Sequence, residues 1–236
     1  MSDPRDTSGF SAASTWVVIV PIKRLAIAKS RLGNTPPGRR EHLALAFALD
    51  TISAVQRCSA VSSVVVVTDD LEARGAATSA GAAVLADTPN SGLNPALSHA
   101  AAHVRGNHAE VDVLAISADL PALRSDELDD VLALIASQGL GTYFVRDVVG
   151  TGTTLLASTR EVGFVPQFGP RSAAAHARSG AIALDLPCAG LASLHRDVDT
   201  DIDLWDAIRL GVGPHTAAVL TRYGERPDPL EDRAVR

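Results

Sequence analysis

Cysteine is scarce in this chain of 236 residues, in which only Cys58 and Cys188 occur. The two lie far apart in sequence and form neither a CxxC pair nor a set of zinc ligands, so we expect reduced, packed thiols. Long apolar runs are also missing, because no uncharged stretch approaches the roughly 20 residues that span a bilayer. The first 14 residues lack the apolar core of a signal peptide. These absences predict a cytoplasmic protein that does not bind membranes.

Net positive charge is absent as well. The formal net charge is -6, which disfavours a broad surface for nucleic acid. Two common nucleotide-binding signatures are also missing, because neither GxxxxGK[ST] nor GxGxxG occurs. Any polyanionic ligand must therefore meet a local concentration of cations, and small molecules are the expected partners.

Short apolar runs rich in β-branched residues alternate with stretches of helical periodicity through the first half of the chain. The runs are typical of buried parallel strands and the intervening stretches of helices. We predict strands at 16–20, 64–68, 83–86 and 111–117, and helices at 39–57, 71–79, 93–104 and 126–137. The expected fold class is α/β, with a Rossmann-like, mostly parallel central sheet and helices on both faces.

The pattern changes after Gly141, where strands are joined by longer connections. We predict strands at 142–146, 153–158 and 182–186, and a final helix at 201–210. Residues 15–223 are expected to form one domain. The polar segments at 1–14 and 224–236 are expected to be disordered tails.

A group of cations follows the first predicted strand, in the segment VVIVPIKRLAIAKSRLG. Ligands of doubly wound sheets bind beyond the carboxyl ends of the strands. Lys23, Arg24, Lys29 and Arg31 are therefore positioned to neutralise a triphosphate. The alternative is a solvated basic turn that leads into a helix.

Carboxylates occur in two places that favour a metal site. Asp119 directly follows the apolar run VDVLAIS, and Asp197 and Asp199 form a DxD pattern nearer the C-terminus. Magnesium prefers a few carboxylate oxygens together with water and substrate phosphates, so Asp119 with Asp197 or Asp199 is the metal hypothesis. We expect Asp201 and Asp203 to cap and charge the next helix instead. A turn or a helix cap is the alternative for each aspartate.

Two further segments can contact ligands. Thr153 and Thr154 offer hydroxyls after a glycine-rich turn, and the turn FGPRS leads into an Ala-rich helix whose N-terminus can bind a phosphate or carboxylate. An ordinary turn is the alternative. Asn94, at a loop-to-helix junction, can contact a base or ribose, although a helix start alone explains it. Ser172 and His176 are not assigned a nucleophilic role, because GxSxG is missing.

Six segments in order resemble the motifs of the guanylyltransferases of coenzyme F-420 biosynthesis: VPIKRLAIAKSRL, SGLNPAL, SADLPAL, GTT, FGPRSAAAH and DVDTDIDL. These phosphoenolpyruvate or 2-phospho-L-lactate guanylyltransferases share the nucleotidyltransferase fold of the glycosyltransferase-A type, and the resemblance covers residues 17–210. It implies that GTP donates GMP to the acceptor phosphate with release of pyrophosphate. Actinobacterial-type members usually take phosphoenolpyruvate.

The resemblance also implies roles for individual residues. Lys23, Lys29 and Asp119 would be catalytic, and Thr154, Gly169 and Ser172 would contact the acceptor. The resemblance matches Lys23 and Lys29 to the family's triphosphate loop, and Asp119, Asp197 and Asp199 to its metal positions. From the residues themselves we add Arg24, Gly92 and Asn94 to the expected nucleotide contacts. We expect Mg²⁺, as two ions, GTP as substrate, and a downstream biosynthetic transferase as a candidate partner.

Other functions stay open at this level. A DxD motif on a related fold also permits a glycosyltransferase that uses a nucleotide sugar. A catalytically silent GTP-binding regulator would have the same nucleotide site. No motif distinguishes phosphoenolpyruvate from 2-phospholactate, because the two acids differ by one unsaturated carbon.

Overall fold

A seven-stranded sheet forms the centre of the computed structural model, which describes residues 16–27, 32, 36, 38–108, 110–184 and 192–225. The strand order is β3-β2-β1-β4-β6-β5-β7. The strands are β1 (Trp16–Pro21), β2 (Val61–Val67), β3 (Ala83–Leu85), β4 (Asp112–Ile116), β5 (Thr142–Arg146), β6 (Thr153–Ser158) and β7 (Ile182–Ala183).

The sheet is parallel except at β6. β1 pairs in parallel with β2 and β4, and β2 pairs in parallel with β3. β6 is antiparallel to both β4 and β5, whereas β7 is parallel to β5. The predicted fold class, a mostly parallel α/β sheet, is therefore confirmed.

Seven α-helices lie in the described part of the chain, together with a 3₁₀ turn at Leu25–Ile27. They are α1 (Arg39–Gln56), α2 (Leu71–Ser79), α3 (Leu93–Asn107), α4 (Ser125–Gln138), α5 (Ser172–Arg178), α6 (Asp201–Leu210) and α7 (Pro214–Arg222). Within these ranges, none of the helices has the length and hydrophobicity that crossing a membrane requires.

Helices cover both faces of the sheet because alternate strand residues point to opposite sides. On β1, Val18 and Val20 join the core formed with α1, α2 and α4. Val17 and Ile19 pack on the other face against α3. Burial on both sides explains why β1 is an almost unbroken run of β-branched residues.

Helix α7 was not predicted, and its N-terminus is held by a buried side chain of α1. The Asp50 carboxylate accepts hydrogen bonds from the backbone N–H groups of His215 (2.9 Å) and Thr216 (2.8 Å). A Cβ at Gly213 would clash with Asp50, which explains the glycine. Helix α7 then packs Leu220 in a third core with Phe47 of α1.

Most of the two predicted tails lies outside the described residues. Residues 185–191, which include the end of the last predicted strand and the connection after it, lie outside them as well. Glu225 lies two residues beyond the predicted domain boundary, and its carboxylate pairs with the buried Arg39 guanidinium at 2.7 Å. The structured part of the chain therefore extends past residue 223.

The direction of β6 places the glycine-rich β5–β6 turn at the ligand-binding edge of the sheet. Because β6 is antiparallel to β4, it begins where β4 ends, and the Ser117 N–H donates to the Thr154 carbonyl at 2.8 Å. The β5–β6 turn therefore lies at the same edge as the residues that follow β1 and β4. This is the edge at which doubly wound sheets bind ligands.

Candidate active site

A cleft of about 720 Å³ opens at the carboxyl edge of the sheet. This volume lies within the range typical of small-molecule sites. The lining combines the residues after β1 and β4, the β5–β6 turn, the start of α5 and the segment before α6. The charged and hydroxyl-bearing lining residues are Lys23, Ser117, Asp119, Asp147, Thr151, Thr153, Arg171, Ser172, Asp197 and Asp199.

Asp119 lies on a loop that hydrogen bonds fix from two sides. The buried Thr51 hydroxyl of α1 accepts from the Leu120 N–H at 3.2 Å. On the opposite side, the Asp119 carbonyl accepts from the Val198 N–H at 3.0 Å. These bonds hold the loop after β4 next to the segment that precedes α6.

The DVD segment, residues 197–199, presents both of its acids to the cleft. Val198 is fully buried in the third core, and an extended chain then directs Asp197 and Asp199 to the opposite side. Asp203 completes a capping box with Thr200 and also accepts from the Asp199 N–H at 3.2 Å. The prediction that Asp203 caps the following helix is confirmed.

Negative charge is concentrated in this part of the cleft. Burial, and then the neighbouring charges of Asp119, Asp199 and Asp147, together raise the pKa of Asp197 to about 7. The charges of these neighbours disfavour ionisation of Asp197, so a bound cation would relieve the repulsion.

The donor set fits magnesium that is shared with a substrate. In the ranges that the structure describes, no three acidic, histidine or cysteine side chains stand close enough to form a protein-only metal cage. Magnesium characteristically takes one or two carboxylates and completes its shell with water and substrate phosphates. Asp119, Asp197 and Asp199 are carboxylates of this kind at the mouth of one cleft.

Asp147 is an acid of the cleft that sequence reasoning missed. It follows β5, and its Oδ1 accepts from the Thr151 N–H at 2.9 Å. A Cβ at Gly152 would clash with its carboxylate, so this turn requires glycine there. The signal was available, because Asp147 directly follows a predicted strand that runs parallel to the strand before Asp119.

The Gly-Pro turn, residues 167–172, contributes a separate part of the cleft lining. Gly169 has φ 130°, and Arg171 has φ 59°, a left-handed conformation that is uncommon outside glycine. Arg171 is the N-cap of α5, and Ser172 is its first residue. Gly169, Arg171 and Ser172 all line the cleft.

Thr153 and Thr154 differ in their surroundings at the start of β6, where the register against β5 shifts. The Thr154 side chain is fully buried, and its Oγ1 has no hydrogen-bond partner among the residues that the structure describes. Thr154 is not part of the cleft lining. Thr153 lines the cleft instead. The predicted contact between Thr154 and an acceptor stays a prediction, and Thr153, the residue before it, is a further hydroxyl of β6 that lies in the cleft lining.

Asn94 holds the Gly-Pro turn rather than lining the cleft. Its amide donates to the Phe168 carbonyl at 2.9 Å, and its Oδ1 accepts from the Phe168 N–H at 2.7 Å. Gly92 caps α3 with φ 113°. Asn94 therefore links α3 to the turn, and its nucleotide contact stays a prediction.

Only two of the four predicted cations after β1 lie among the described residues. Lys23 is exposed and lines the cleft, whereas Arg24 is exposed but does not. Lys29 and Arg31 lie outside the described residues, as does Cys188. Cys58 is a buried free thiol, as predicted.

Comparison with known proteins identifies the family. The model described as "Guanylyl transferase CofC like" matches residues 16–229. The chain belongs to this family. It is 49% identical over 211 residues to phosphoenolpyruvate guanylyltransferase of Thermomonospora curvata, covering 89% of this chain and 91% of that protein. The protein of the same name from Streptomyces coelicolor is 49% identical over 208 residues, covering 88% and 96%.

Solved structures agree with the fold of this CofC-like guanylyl transferase. A Desulfovibrio desulfuricans protein described as a nucleotide-diphospho-sugar transferase superimposes with a TM-score of 0.62 at 16% identity, covering 89% of this chain and 98% of the other. 4-Diphosphocytidyl-2C-methyl-D-erythritol synthase gives a TM-score of 0.50 at 13% identity, covering 82% and 96%. The nucleotidyltransferase fold implied by the six sequence motifs is confirmed.

Proposed function

We propose that this chain transfers GMP from GTP to the phosphate of phosphoenolpyruvate as a step in coenzyme F-420 biosynthesis. One observation carries the proposal: a cation after β1, the carboxylates and the Gly-Pro turn share one cleft in a guanylyl transferase family member. The relatives from Thermomonospora curvata and Streptomyces coelicolor support phosphoenolpyruvate over 2-phospholactate, because both are named for that reaction. The product would pass to a downstream biosynthetic transferase.

The reaction needs no general base, because the acceptor phosphate is already anionic at neutral pH. A bond forms between an acceptor phosphate oxygen and the α-phosphorus of GTP. The bond from that phosphorus to the bridging oxygen breaks, and pyrophosphate leaves with the electron pair. The barrier is mainly the repulsion between two polyanions, so positioning and neutralisation are the protein's tasks.

Separate parts of the cleft lining would perform these tasks. Lys23 follows β1 and would neutralise the triphosphate, with Lys29, six residues later in the sequence, as a second candidate. Arg171 and the backbone around Gly169 and Ser172 would hold the anionic acceptor at the Gly-Pro turn. The two reactants would then meet in the cleft.

The carboxylates would hold magnesium on the donor side. Asp119, with Asp197 and Asp199, supplies the oxygen ligands, and Asp147 adds negative charge beside them. When bound, Mg²⁺ supplies positive charge that offsets the repulsion between the reactants and stabilises the departing pyrophosphate. We propose two ions, in keeping with the family resemblance.

Pyrophosphate release tests the function directly. We expect release only when GTP, phosphoenolpyruvate and MgCl₂ are all present, and slower release with 2-phospholactate. A nucleotide sugar in place of GTP should give no transfer. GTP binding without turnover of either acid would instead support the regulator, and sugar transfer would support the glycosyltransferase.

A matched pair of variants tests the metal assignment. Asp119→Asn should lower kcat/KM by roughly 100-fold or more in the presence of Mg²⁺, because a cleft carboxylate is lost. Asp130→Asn, at an exposed position of α4, should leave kcat/KM unchanged. Near-normal pyrophosphate release by a folded Asp119→Asn enzyme would contradict the assignment.

A further inference from the structure

A buried histidine connects the start of β6 to the Gly-Pro turn. His176, on α5, is fully buried. Its Nδ1 lies 3.0 Å from the Thr153 hydroxyl, and its Nε2 lies 2.9 Å from the Gln167 backbone nitrogen. The rings of Phe144 and Phe168 pack against the imidazole, with centroids 5.7 and 5.4 Å away. The imidazole is therefore held by two hydrogen bonds and two aromatic contacts.

The two hydrogen bonds determine the tautomer of His176. A backbone N–H can only donate, so Nε2 must accept from Gln167 and carries no proton. Burial lowers the pKa of His176 to about 4, so the ring is neutral at pH 7. A neutral imidazole has one N–H, which must then be at Nδ1, where it donates to the Thr153 hydroxyl.

Because the Thr153 hydroxyl accepts this hydrogen bond, its own proton is available for a second one. The hydroxyl oxygen accepts from His176, so its own proton must point elsewhere. Within the described part of the chain, that proton has no acceptor among the hydrogen bonds of Thr153. Thr153 lines the cleft, as do Gly169 and Ser172.

We propose that Thr153 donates a hydrogen bond to an anionic oxygen of the acceptor, and that His176 is a positioning residue that fixes the direction of this donation. The inference rests on the proposed function for the identity of the acceptor. A hydroxyl that is free to rotate both donates and accepts, whereas this one is restricted to donating into the cleft. Such a site favours a phosphate or carboxylate oxygen, which can only accept.

Variants of Thr153 test the contact itself. Thr153→Val removes the hydroxyl at nearly constant volume and should raise the KM for phosphoenolpyruvate roughly 10- to 100-fold, the size expected for one hydrogen bond to a charged group. The KM for GTP should change less than about twofold, since the contact is to the acceptor. Thr153→Ser should restore most of the loss. An unchanged acceptor KM in Thr153→Val would overturn the inference.

Two variants of His176 separate positioning from packing. An asparagine amide can place its nitrogen near the position of Nδ1, so His176→Asn retains a donor to Thr153. A glutamine amide reaches the position of Nε2, so His176→Gln keeps an acceptor for Gln167 and loses the Thr153 contact. We expect His176→Gln to raise the acceptor KM as Thr153→Val does, and His176→Asn to raise it much less.

A double variant and a control complete the design. If His176 acts through Thr153, then Thr153→Val with His176→Gln should be no worse than either single variant in acceptor KM. His42→Gln is the matched control, because His42 bonds the Tyr223 hydroxyl at 2.9 Å and does not line the cleft. Additive effects, or equal rises in both KM values, would show that His176 acts only through general stability and would overturn its positioning role.

Direct binding measurements distinguish a failure of this inference from a failure of the proposed function. Calorimetry with phosphoenolpyruvate and MgCl₂ measures acceptor affinity without turnover, and Thr153→Val should weaken it by the same factor. A wild-type protein that binds the acceptor but releases no pyrophosphate would contradict the function alone. Equal affinity in wild type and Thr153→Val would contradict this inference alone. Nitrogen-15 NMR should find His176 as the Nδ1–H tautomer at pH 7, and the Nε2–H form would overturn the positioning role.

Discussion

At the scale of single residues, Asp197 combines a functional position with a cost in stability. Its pKa is raised to about 7 by burial and then by Asp119, Asp199 and Asp147. The folded state therefore retains a proton at Asp197 that the unfolded chain releases near 3.8, the ordinary pKa of an aspartate. Between these two values the folded state holds more protons, so the contribution of Asp197 to stability falls as the pH rises through this window.

Asp197→Asn should therefore stabilise the metal-free protein. We expect a gain of roughly 1–3 kcal/mol at pH 8, where wild-type Asp197 is charged, and little gain at pH 4. Thermal unfolding in EDTA across this pH range measures the difference. Asp130→Asn, an exposed aspartate, should show no such trend. A variant less stable than wild type at pH 8 would mean that Asp197 is not under repulsion.

Local sequence pattern determines the positions of some cleft residues, and tertiary packing determines the positions of others. Sequence reasoning can place only the first kind. Asp119 follows a strand, and Asp197 and Asp199 flank the buried Val198. The local sequence pattern therefore determines where these acids point. Whether Thr153 or Thr154 faces the cleft depends on which side of β6 is covered, and this is set by tertiary packing. The register of β6 against β5 also shifts at this point, so strand alternation alone does not decide between the two threonines.

At the scale of elements, the Gly-Pro turn depends on α3 for its position. Both hydrogen bonds between Asn94 and the Phe168 backbone join these elements, and the Ala173 N–H donates to the Thr151 carbonyl at 3.1 Å. The turn is therefore tied to α3 on one side and to the β5–β6 turn on the other. Sequence reasoning found the start of α3 but not this contact, because Asn94 and Phe168 are 74 residues apart.

Asn94→Ala should loosen the Gly-Pro turn without removing a ligand contact. Two backbone groups of Phe168 lose their partners, so we expect a loss of about 1–3 kcal/mol in stability and a higher KM for phosphoenolpyruvate. Steady-state kinetics with both substrates and urea unfolding measure the two effects. If only the KM for GTP rose, Asn94 would instead contact the nucleotide, as the sequence indicated.

At the scale of the whole molecule, the apolar runs of β1, β2 and β4 made the parallel sheet predictable, because burial on both faces requires them. Helix α7 was not predictable in the same way. Its position depends on Asp50, which is 165 residues from His215 in the chain. The third core that α7 completes also buries Val198 of the DVD segment, so this distant helix supports the cleft. The assignment of residues 15–223 to one domain stays a prediction.

Asp50→Ala should destabilise the molecule while sparing the chemistry. The backbone N–H groups of His215 and Thr216 would lose their acceptor in a buried site, which should cost about 2–3 kcal/mol. Urea unfolding measures this loss, and kcat and both KM values at 25 °C should stay near wild type. Thr221→Ala, which removes an exposed hydroxyl of the same helix, should cost much less. A large change in the acceptor KM would instead mean that α7 positions the cleft directly.

The central claim concerns which bond is made at the cleft, and phosphorus-31 NMR of the products tests it most directly. With GTP, phosphoenolpyruvate and Mg²⁺, we predict two coupled signals from a new diphosphate that joins GMP to the acceptor phosphate, together with free pyrophosphate. Formation of GDP and inorganic phosphate, or of GMP and pyrophosphate without the coupled pair, would contradict guanylyl transfer to the acid.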